Sequence, residues 1–148
     1  MHRGIHANDY NIDASNVGQL EGMDFVFLCL DSGDAKRMIV EKLEQLGTPF
    51  IDVGMGVELV DETLFGVLRI TTSTDGKRES ARRRIPFTDG DGKDDYSRNI
   101  QIADLNALNA ALAVIKWKKL FGFYGDLERE NFSTYTIDGN KLINEDQS

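Results

Sequence analysis

The sequence of 148 residues contains one cysteine, two prolines and one tryptophan. The single cysteine, Cys29, excludes an intrachain disulfide and any zinc site built on a Cys-x-x-Cys pair. A lone thiol is also typical of a reducing compartment, so we expect a cytoplasmic protein. No apolar run is long enough to cross a bilayer, and residues 1–16 are polar, so the sequence predicts neither a membrane span nor a signal peptide.

Positive charge is also scarce. Lys and Arg number 17 against 25 Asp and Glu, which gives a formal net charge of −8. This balance argues against nucleic acid and against an anionic membrane as the main partner. With 41% hydrophobic and 28% charged residues, the composition is that of one soluble globular domain with a core large enough to fold without disulfides or metals.

A glycine-rich phosphate-binding loop is missing as well. The two closely spaced glycine pairs, Gly54/Gly56 and Gly90/Gly92, lack the third glycine of a GxGxxG motif, and no GKS or GKT follows a glycine run. The sequence therefore contains no recognisable cradle for nucleotide phosphates.

What is present begins with alternating elements. Residues 24–30 form a continuous apolar run, as expected for a strand buried on both faces. Residues 35–46 have apolar positions at helical spacing, and Gly47 is suited to end a helix there. Residues 50–53 predict a second strand, closed by the glycines at 54–56. A strand, helix and strand of these lengths predict a right-handed βαβ unit with parallel pairing.

The second half is more varied. Residues 57–72 predict further strand with a turn near Asp61-Glu62. The strongest helix covers 103–121 and is apolar nearly all round, which indicates central burial. In the acidic tail, 123–148, the pattern on each side of Asp138-Gly139 is typical of a β-hairpin.

These elements predict a fold class and a domain division. We expect an α/β, Rossmann-like, three-layer partial domain with a mostly parallel sheet over 1–122, followed by the tail 123–148 with its hairpin. Near the N-terminus, alternation at 10–14 favours a short strand, and 16–23 favours a helical turn.

Residues 73–98 lose the apolar pattern. A basic run at 77–84 is followed by an acidic run at 89–95, and a long patternless loop in a compact domain is usually functional or mobile. The acidic run fails the EF-hand pattern, so a solvated loop is the favoured interpretation. The basic run is too small to indicate nucleic-acid binding, and the sharper hypothesis is contact with phosphates or an acidic partner.

Asp31 is the principal candidate for chemistry, because it comes directly after a predicted buried parallel strand. Ligands of open α/β sheets bind at the carboxyl ends of strands, where a carboxylate can hold Mg²⁺ with its phosphates. The plainer alternative, a cap for the following helix, stays open. For Asp52, near the end of the next strand, a structural hydrogen-bonding role is favoured.

Three other residues have plainer interpretations. Cys29 lies within an apolar run, which indicates a buried core thiol with a raised pKa rather than a nucleophile. Asn106 and Asn109 are three residues apart, so they share one face of their helix. Buried amides need partners, and a nearby backbone edge is the favoured one.

The strand Asp24-Phe-Val-Phe-Leu-Cys-Leu-Asp-Ser32, with Arg37 after it, resembles the strand and Cys-x-Asp-Asn turn of the ThiF/MoeB/HesA adenylyltransferases, relatives of ubiquitin-activating enzymes. The strand at 49–54 and the helix at 103–117 resemble later parts of the same domain. The resemblance covers most of 10–122 and only the C-terminal portion of the family domain, which implies a truncated chain with the phosphate loop upstream of Met1.

The resemblance implies a function. Family members activate the C-terminal carboxylate of a ubiquitin-like or sulfur-carrier protein with Mg-ATP, which gives an acyl-adenylate and pyrophosphate. The magnesium-binding aspartate of the family corresponds to Asp31, which would therefore serve in catalysis, in cofactor binding and as the metal ligand. The crossover loop that guides the substrate tail corresponds to about 73–98.

The sequence departs from the family in two respects. No cysteine follows Cys29, so a thioester in the crossover region is excluded within this chain, and there are no zinc ligands. We expect the complete protein to catalyse adenylation alone. In isolation, we expect this chain to be inactive and to have no measurable affinity for Mg-ATP. We also expect it to self-associate, with a homodimer as the simplest form. Two alternatives remain: a noncatalytic module that binds a ubiquitin-like partner through 57–98, and another nucleotide-binding α/β enzyme such as a dehydrogenase.

Overall fold

One five-stranded sheet organises the part of the chain that the structure, a computed structural model, describes: residues 4–88 and 102–145. The elements, in chain order, are a 3-10 turn Val17–Leu20, β1 Val26–Leu28, α1 Gly33–Leu46, β2 Phe50–Val60, β3 Thr63–Ser73, α2 Arg78–Arg84, α3 Ala103–Leu120, β4 Phe132–Thr136 and β5 Lys141–Glu145. The strands lie in the sheet in the same order as in the chain. α1 and α2 pack on one face and α3 on the other.

The expectation of a mostly parallel, Rossmann-like sheet is wrong. Only β1 and β2 are parallel, as predicted for the β1–α1–β2 unit, whereas β2–β3, β3–β4 and β4–β5 are antiparallel. For two of these pairs the physical reason is the length of the connection: tight hairpins join β2 to β3 and β4 to β5, while a parallel pairing needs a crossover as long as α1. β3 and β4 are joined by the long segment that contains α2 and α3, so the length of their connection does not determine how they pair.

The β2–β3 hairpin is longer than the sequence indicated. β2 does not close at the glycines but continues through Gly54 and Gly56 to Val60. The predicted turn is confirmed at Asp61 and Glu62, both in the left-handed region with φ of 47° and 62°. Two consecutive positive φ angles match the twist of the flanking strands, as in a type I′ turn.

α1 forms the densely packed side of the sheet. It ends at Gly47, which adopts the predicted left-handed conformation with φ of 75°. Val40, Leu43 and Phe50 are fully buried in a cluster shared by β1, α1, β2 and α2, and the cluster also contains Leu28, Ile39, Ala81 and Ile85.

α3 has nearly its predicted bounds, but the expectation of central burial is wrong. Within α3 only Asn109, Ala113 and Lys116 are buried, while Val114 and Ile115 are 42% and 43% exposed. A helix lying on one face of a sheet is covered along one stripe, and the described residues place nothing over its other sides.

The N-terminal segment is irregular where a strand was expected. Around 10–14 the chain forms a turn, because the carboxylate of Asp13 accepts hydrogen bonds from the backbone N–H and hydroxyl of Ser15. Such side-chain bonds compete with strand pairing. The helical turn expected at 16–23 is confirmed as the 3-10 turn.

The basic run is a helix, not a loop. α2 packs against α1, and its arginines bind this chain's own acceptors: Arg82 pairs with Glu44 at 2.6 Å and Arg84 with Glu145 at 2.9 Å. The prediction of a patternless loop is therefore wrong for 78–84. The acidic run at 89–95 lies outside the described residues.

The C-terminal hairpin is confirmed as β4 and β5. It joins the main sheet, since β4 pairs with β3 from Val67↔Thr136 to Thr71↔Phe132. None of the helices in 4–88 and 102–145 combines the length and apolarity that a bilayer-spanning helix requires.

Candidate functional site

A cavity of about 570 Å³ opens between the carboxyl end of β1, the first half of β2 and the middle of α3. Alternate residues of a strand share a face, which explains why residues 27, 29 and 31 line the cavity together with 53 and 55. The complete lining is Phe27, Cys29, Asp31, Val53, Met55, Asn106, Asn109, Ala110, Ala113 and Val114. A volume of this size lies in the range of small-molecule sites.

Asp31 lies three residues beyond β1, at the carboxyl edge of the only parallel strand pair among the described residues. It is exposed and lines the cavity. It also lines a second cavity of about 620 Å³, which lies under the N-terminal segment. The N-cap position of α1 belongs to Ser32, so the geometry does not favour the alternative in which Asp31 caps the helix.

Asp52 lies on the opposite face of β2 in a buried ion pair. Its carboxylate is 2.9 Å from Lys36 Nζ, and both side chains are at most 4% exposed. Burial raises the pKa of the Asp52 carboxyl, Lys36 and Arg69 oppose the rise, and the charge of Asp31 adds to it. The pair joins α1 to β2 directly behind the Asp31 turn, which agrees with the structural role expected for Asp52.

Cys29 is exposed, so the expectation of a buried core thiol is wrong. β1 is only three residues long and ends at Leu28. Cys29 follows it, and its side chain lines the cavity on the α3 side of the sheet rather than the core. Partial burial and the charge of Asp52 still raise the pKa of the Cys29 thiol, as predicted. At neutral pH the thiol is therefore protonated, which weakens it as a nucleophile.

The two asparagines of α3 differ in their environment. Asn109 is 5% exposed, and its Nδ2 donates a hydrogen bond to the Gly54 carbonyl oxygen at 2.9 Å, which confirms the expected backbone partner. Asn109 Oδ1 is buried and has no hydrogen-bond partner. Asn106, one turn earlier, is exposed on the wall of the cavity.

The donor set of the cavity fits one kind of metal. Within 4–88 and 102–145, no three His, Cys, Asp or Glu side chains group together to enclose an ion. Mg²⁺ does not require such a group, because it keeps several waters and is commonly held by one or two carboxylates and substrate phosphates. A single exposed carboxylate beside a wide cavity meets that requirement.

Sequence reasoning missed Lys36 and most of the cavity wall. Lys36 is a charged residue buried on the inner side of α1, and its acidic partner is distant in sequence. The wall residue Met55 was hidden by the mistaken strand end at Gly54. The alternation of apolar residues at 51, 53, 55, 57 and 59 was the signal that the strand continues.

Comparison with known proteins adds no relative: the sequence matches no protein-family model and no curated protein.

Proposed function

We propose that this chain is the C-terminal portion of an ATP-dependent adenylyltransferase, which activates the C-terminal carboxylate of a ubiquitin-like or sulfur-carrier protein as an acyl-adenylate. The observation that carries the proposal is the position of Asp31, exposed at the carboxyl edge of the β1–β2 parallel pair and on the wall of a cavity. Ligands of α/β sheets bind at such edges. The resemblance of residues 24–32 to the family's strand and turn supplies the class of reaction.

In this proposal Asp31 holds Mg²⁺ together with the phosphates of ATP. A magnesium ion held by Asp31 would supply positive charge to offset that of the reacting phosphates. The carrier carboxylate forms a bond to the α-phosphorus, and the bond to pyrophosphate breaks. The residues of this chain bind and orient: Asp31 would hold the metal, and the aliphatic side chains of Val53, Ala110 and Ala113 form the apolar part of the cavity wall.

The Lys36–Asp52 pair supports this arrangement from behind. Lys36 is on the first turn of α1 and Asp52 is paired in register with Leu28 of β1. The pair therefore ties together the elements on both sides of the Asp31 turn. We assign it a positioning role, because on the far face of β2 it does not line the cavity.

The cavity lining among the described residues contains no Lys or Arg. In the proposal, the cationic groups that bind the phosphates come from outside this lining. The chain alone would then bind Mg-ATP too weakly for calorimetry, and a more sensitive method is required to locate the metal.

Paramagnetic broadening provides that method. We expect Mn²⁺ with ATP to broaden the amide signals of residues 29–32 and 53–55 in the ¹⁵N spectrum of the chain, and Asp31→Asn to abolish the effect. Asp34→Asn is the matched control, because Asp34 is an exposed acid on the first turn of α1 and does not line the cavity. Broadening that survives Asp31→Asn would refute the metal assignment.

Activity is tested in the complete protein. We expect ATP–pyrophosphate exchange that depends on a candidate carrier protein and is lost in Asp31→Ala. Undiminished exchange by that variant would show that Asp31 is not a metal ligand.

A second candidate function is favoured by the β2–β3 hairpin. Val60 and Phe65 lie on the same face near its tip and are 41% and 40% exposed, and neighbouring exposed apolar groups mark interaction surfaces. A noncatalytic module that binds a ubiquitin-like partner through 57–98 would use this surface. In that case Phe65→Asp would abolish carrier binding, and the complete protein would show no exchange with any carrier.

The proposal includes self-association through an aromatic cluster. Phe27 and Phe121 are 38% and 60% exposed, and both pack against Trp117, with ring centroids 6.3 and 5.7 Å away. Sedimentation velocity is expected to show a dimer that Phe121→Ser dissociates. A wild-type monomer at all concentrations would contradict self-association.

A further inference from the structure

The side of α3 that faces away from the sheet is apolar, and the part of the chain that the structure describes does not cover it. Its residues are related by spacings of three and four, so they lie along one line of the helix, the outer stripe. The outer stripe consists of Ala107, Leu108, Ala111, Val114 and Ile115. Leu108, Val114 and Ile115 are 37%, 42% and 43% exposed. A continuous exposed apolar surface of this kind marks an interaction site.

Opposite charges lie at the two ends of the outer stripe. Asp104 precedes Ala111 by seven residues and Lys118 follows it by seven, which is two helical turns in each direction. No charged residue lies between Asp104 and Lys116. The Lys118 ammonium is 4.9 Å from the centre of the Phe123 ring, and within 4–88 and 102–145 neither Asp104 nor Lys118 has an ion-pair partner.

We infer that the outer stripe binds the outer stripe of a second copy of this chain, with the two α3 helices antiparallel and a two-fold axis at Ala111. Such an axis places residues before Ala111 against residues that lie about as far after it in the second copy. Asp104 then meets Lys118 of the second copy, and Leu108 packs against Ile115. The small side chains of the alanines allow the two helices to approach closely.

The mirrored charges favour a second copy over an unrelated protein. A surface that is complementary to itself needs opposite charges at equal distances from its centre, and the outer stripe has them. The aromatic cluster continues the surface on one side, because Phe121 follows Val114 by two turns and is 60% exposed. The same charges also suit the dipole of α3, so the experiment has to separate pairing between copies from an effect within one helix.

The two copies meet beside the candidate site. Val114 belongs to the outer stripe and also lines the cavity, so one wall residue of the cavity contacts the second copy. The inference goes beyond the proposed reaction, because it requires neither nucleotide nor carrier protein. It adds the contact surface and the antiparallel orientation to the proposed self-association.

The experiment exchanges the two charges. Asp104→Lys and Lys118→Asp each place like charges opposite one another at both ends of the dimer. Each should raise the dissociation constant of the dimer roughly tenfold in sedimentation equilibrium at low salt. The double variant Asp104→Lys/Lys118→Asp restores opposite charges between the copies and should recover the wild-type dissociation constant. Asp138→Lys and Lys141→Asp are the matched controls, because they change the net charge equally at exposed positions outside α3.

A second experiment tests the centre of the outer stripe. Leu108→Asp buries a charge in the contact twice and should abolish the dimer, whereas Leu127→Asp should not, since Leu127 is 98% exposed and lies outside α3. If Leu108→Asp fails to fold, Ala111→Cys combined with Cys29→Ser provides an independent measurement. A residue on a two-fold axis meets its own copy, so mild oxidation should link two chains through Ala111→Cys and not through Leu127→Cys.

Three results would overturn the inference. They are a wild-type chain that is monomeric at all concentrations, a double charge variant that dimerises less than either single variant, and a dimer that survives Leu108→Asp. The second result would show that the charges act through the helix dipole. A dimer that Phe121→Ser dissociates and Leu108→Asp does not would confine self-association to the aromatic cluster. The manganese and exchange experiments on Asp31 measure no association, so failure of the proposed reaction is distinguishable from failure of this inference.

Discussion

On the α1 face of the sheet, Val40, Leu43 and Phe50 are fully buried, and the only charges inside, Lys36 and Asp52 among the described residues, neutralise each other. On the α3 face, apolar side chains of the helix are exposed, a cavity separates helix from strands, and a buried amide oxygen lacks a partner. The comparison teaches that one face is closely packed and provides most of the stability, while the other carries the candidate site. Four predictions test this division, from the largest expected effect to the smallest.

The largest effect should follow from Lys36→Met. The substitution leaves the Asp52 carboxylate buried without its partner, and breaking a buried pair in this way costs about 3–5 kcal/mol of the free energy of unfolding. Urea unfolding provides the measurement. Lys42→Met is the control, because the Lys42–Glu21 pair is exposed and should contribute little. The double variant Lys36→Met/Asp52→Leu should recover most of the loss, and no recovery would mean that Lys36 acts through packing alone.

The second prediction compares two leucines, one on each face. Leu43→Ala should lower the free energy of unfolding by about 2–5 kcal/mol, because it opens a cavity in a closely packed cluster. Leu108→Ala on α3, where the leucine is 37% exposed, should cost less than about 1 kcal/mol. Equal losses at the two positions would show that the faces are packed alike.

The third prediction concerns pH and two buried pairs. Burial raises the pKa of Asp52, so the folded protein takes up this proton at higher pH than the unfolded chain does. The contribution of Asp52 to the free energy of unfolding therefore grows as the pH falls through its raised pKa toward about 3.9, the ordinary value.

Asp126 should behave in the opposite way. Although burial acts to raise the pKa of Asp126, its pairing with Lys116 at 3.0 Å lowers it overall. Its stabilisation is present above the ordinary value and is lost below it as the carboxylate protonates. Urea unfolding from pH 7 to 2 should show that Asp52→Asn flattens the weakly acidic part of the profile and Asp126→Asn the strongly acidic part. Unchanged slopes would contradict the assigned directions.

The smallest effect concerns the Cys29 thiol. Because its pKa is raised, alkylation by iodoacetamide at neutral pH should be a few-fold slower in the folded chain than in urea, and should accelerate as the pH rises. Equal rates in the folded and unfolded chain would contradict the raised pKa of the thiol.

The fold was predictable where local signals suffice. Gly47 ends α1, and the chain turns at Asp61-Glu62, because helix stops and hairpin turns depend on the conformations of a few residues. The continuation of β2 through Gly54 was signalled by the apolar alternation at 51–59, but the reason for the glycine is tertiary: a Cβ at Gly54 would lie 3.1 Å from the Arg69 guanidinium. A sequence alone does not distinguish a glycine that ends a strand from one that admits a neighbouring side chain.

The sequence also singled out some of the residues of the candidate site and missed others. Asp31 was identified because it follows an apolar strand, and Asn109 because of its spacing from Asn106 along a helix. The exposure of Cys29 and of α3 depends on which other elements cover them in the folded protein. A local sequence pattern does not contain that information. The pairing of Lys36 with Asp52 depends on the register of α1 against β2, which likewise forms only in the folded chain.

α1 begins at Gly33, one position after Ser32 and two after Asp31. A Cβ at Gly33 would lie 2.6 Å from the carbonyl oxygen of Phe87, and Arg37, one turn later on α1, places its guanidinium 5.1 Å from the centre of the Phe87 ring. Even a single methyl group at position 33 would push the backbone at Phe87 and Thr88 away from α1. Because Gly33 has no side chain, the chain that leaves α2 can pass close to the turn that carries Asp31. The residue at position 33 therefore determines the distance between these two segments.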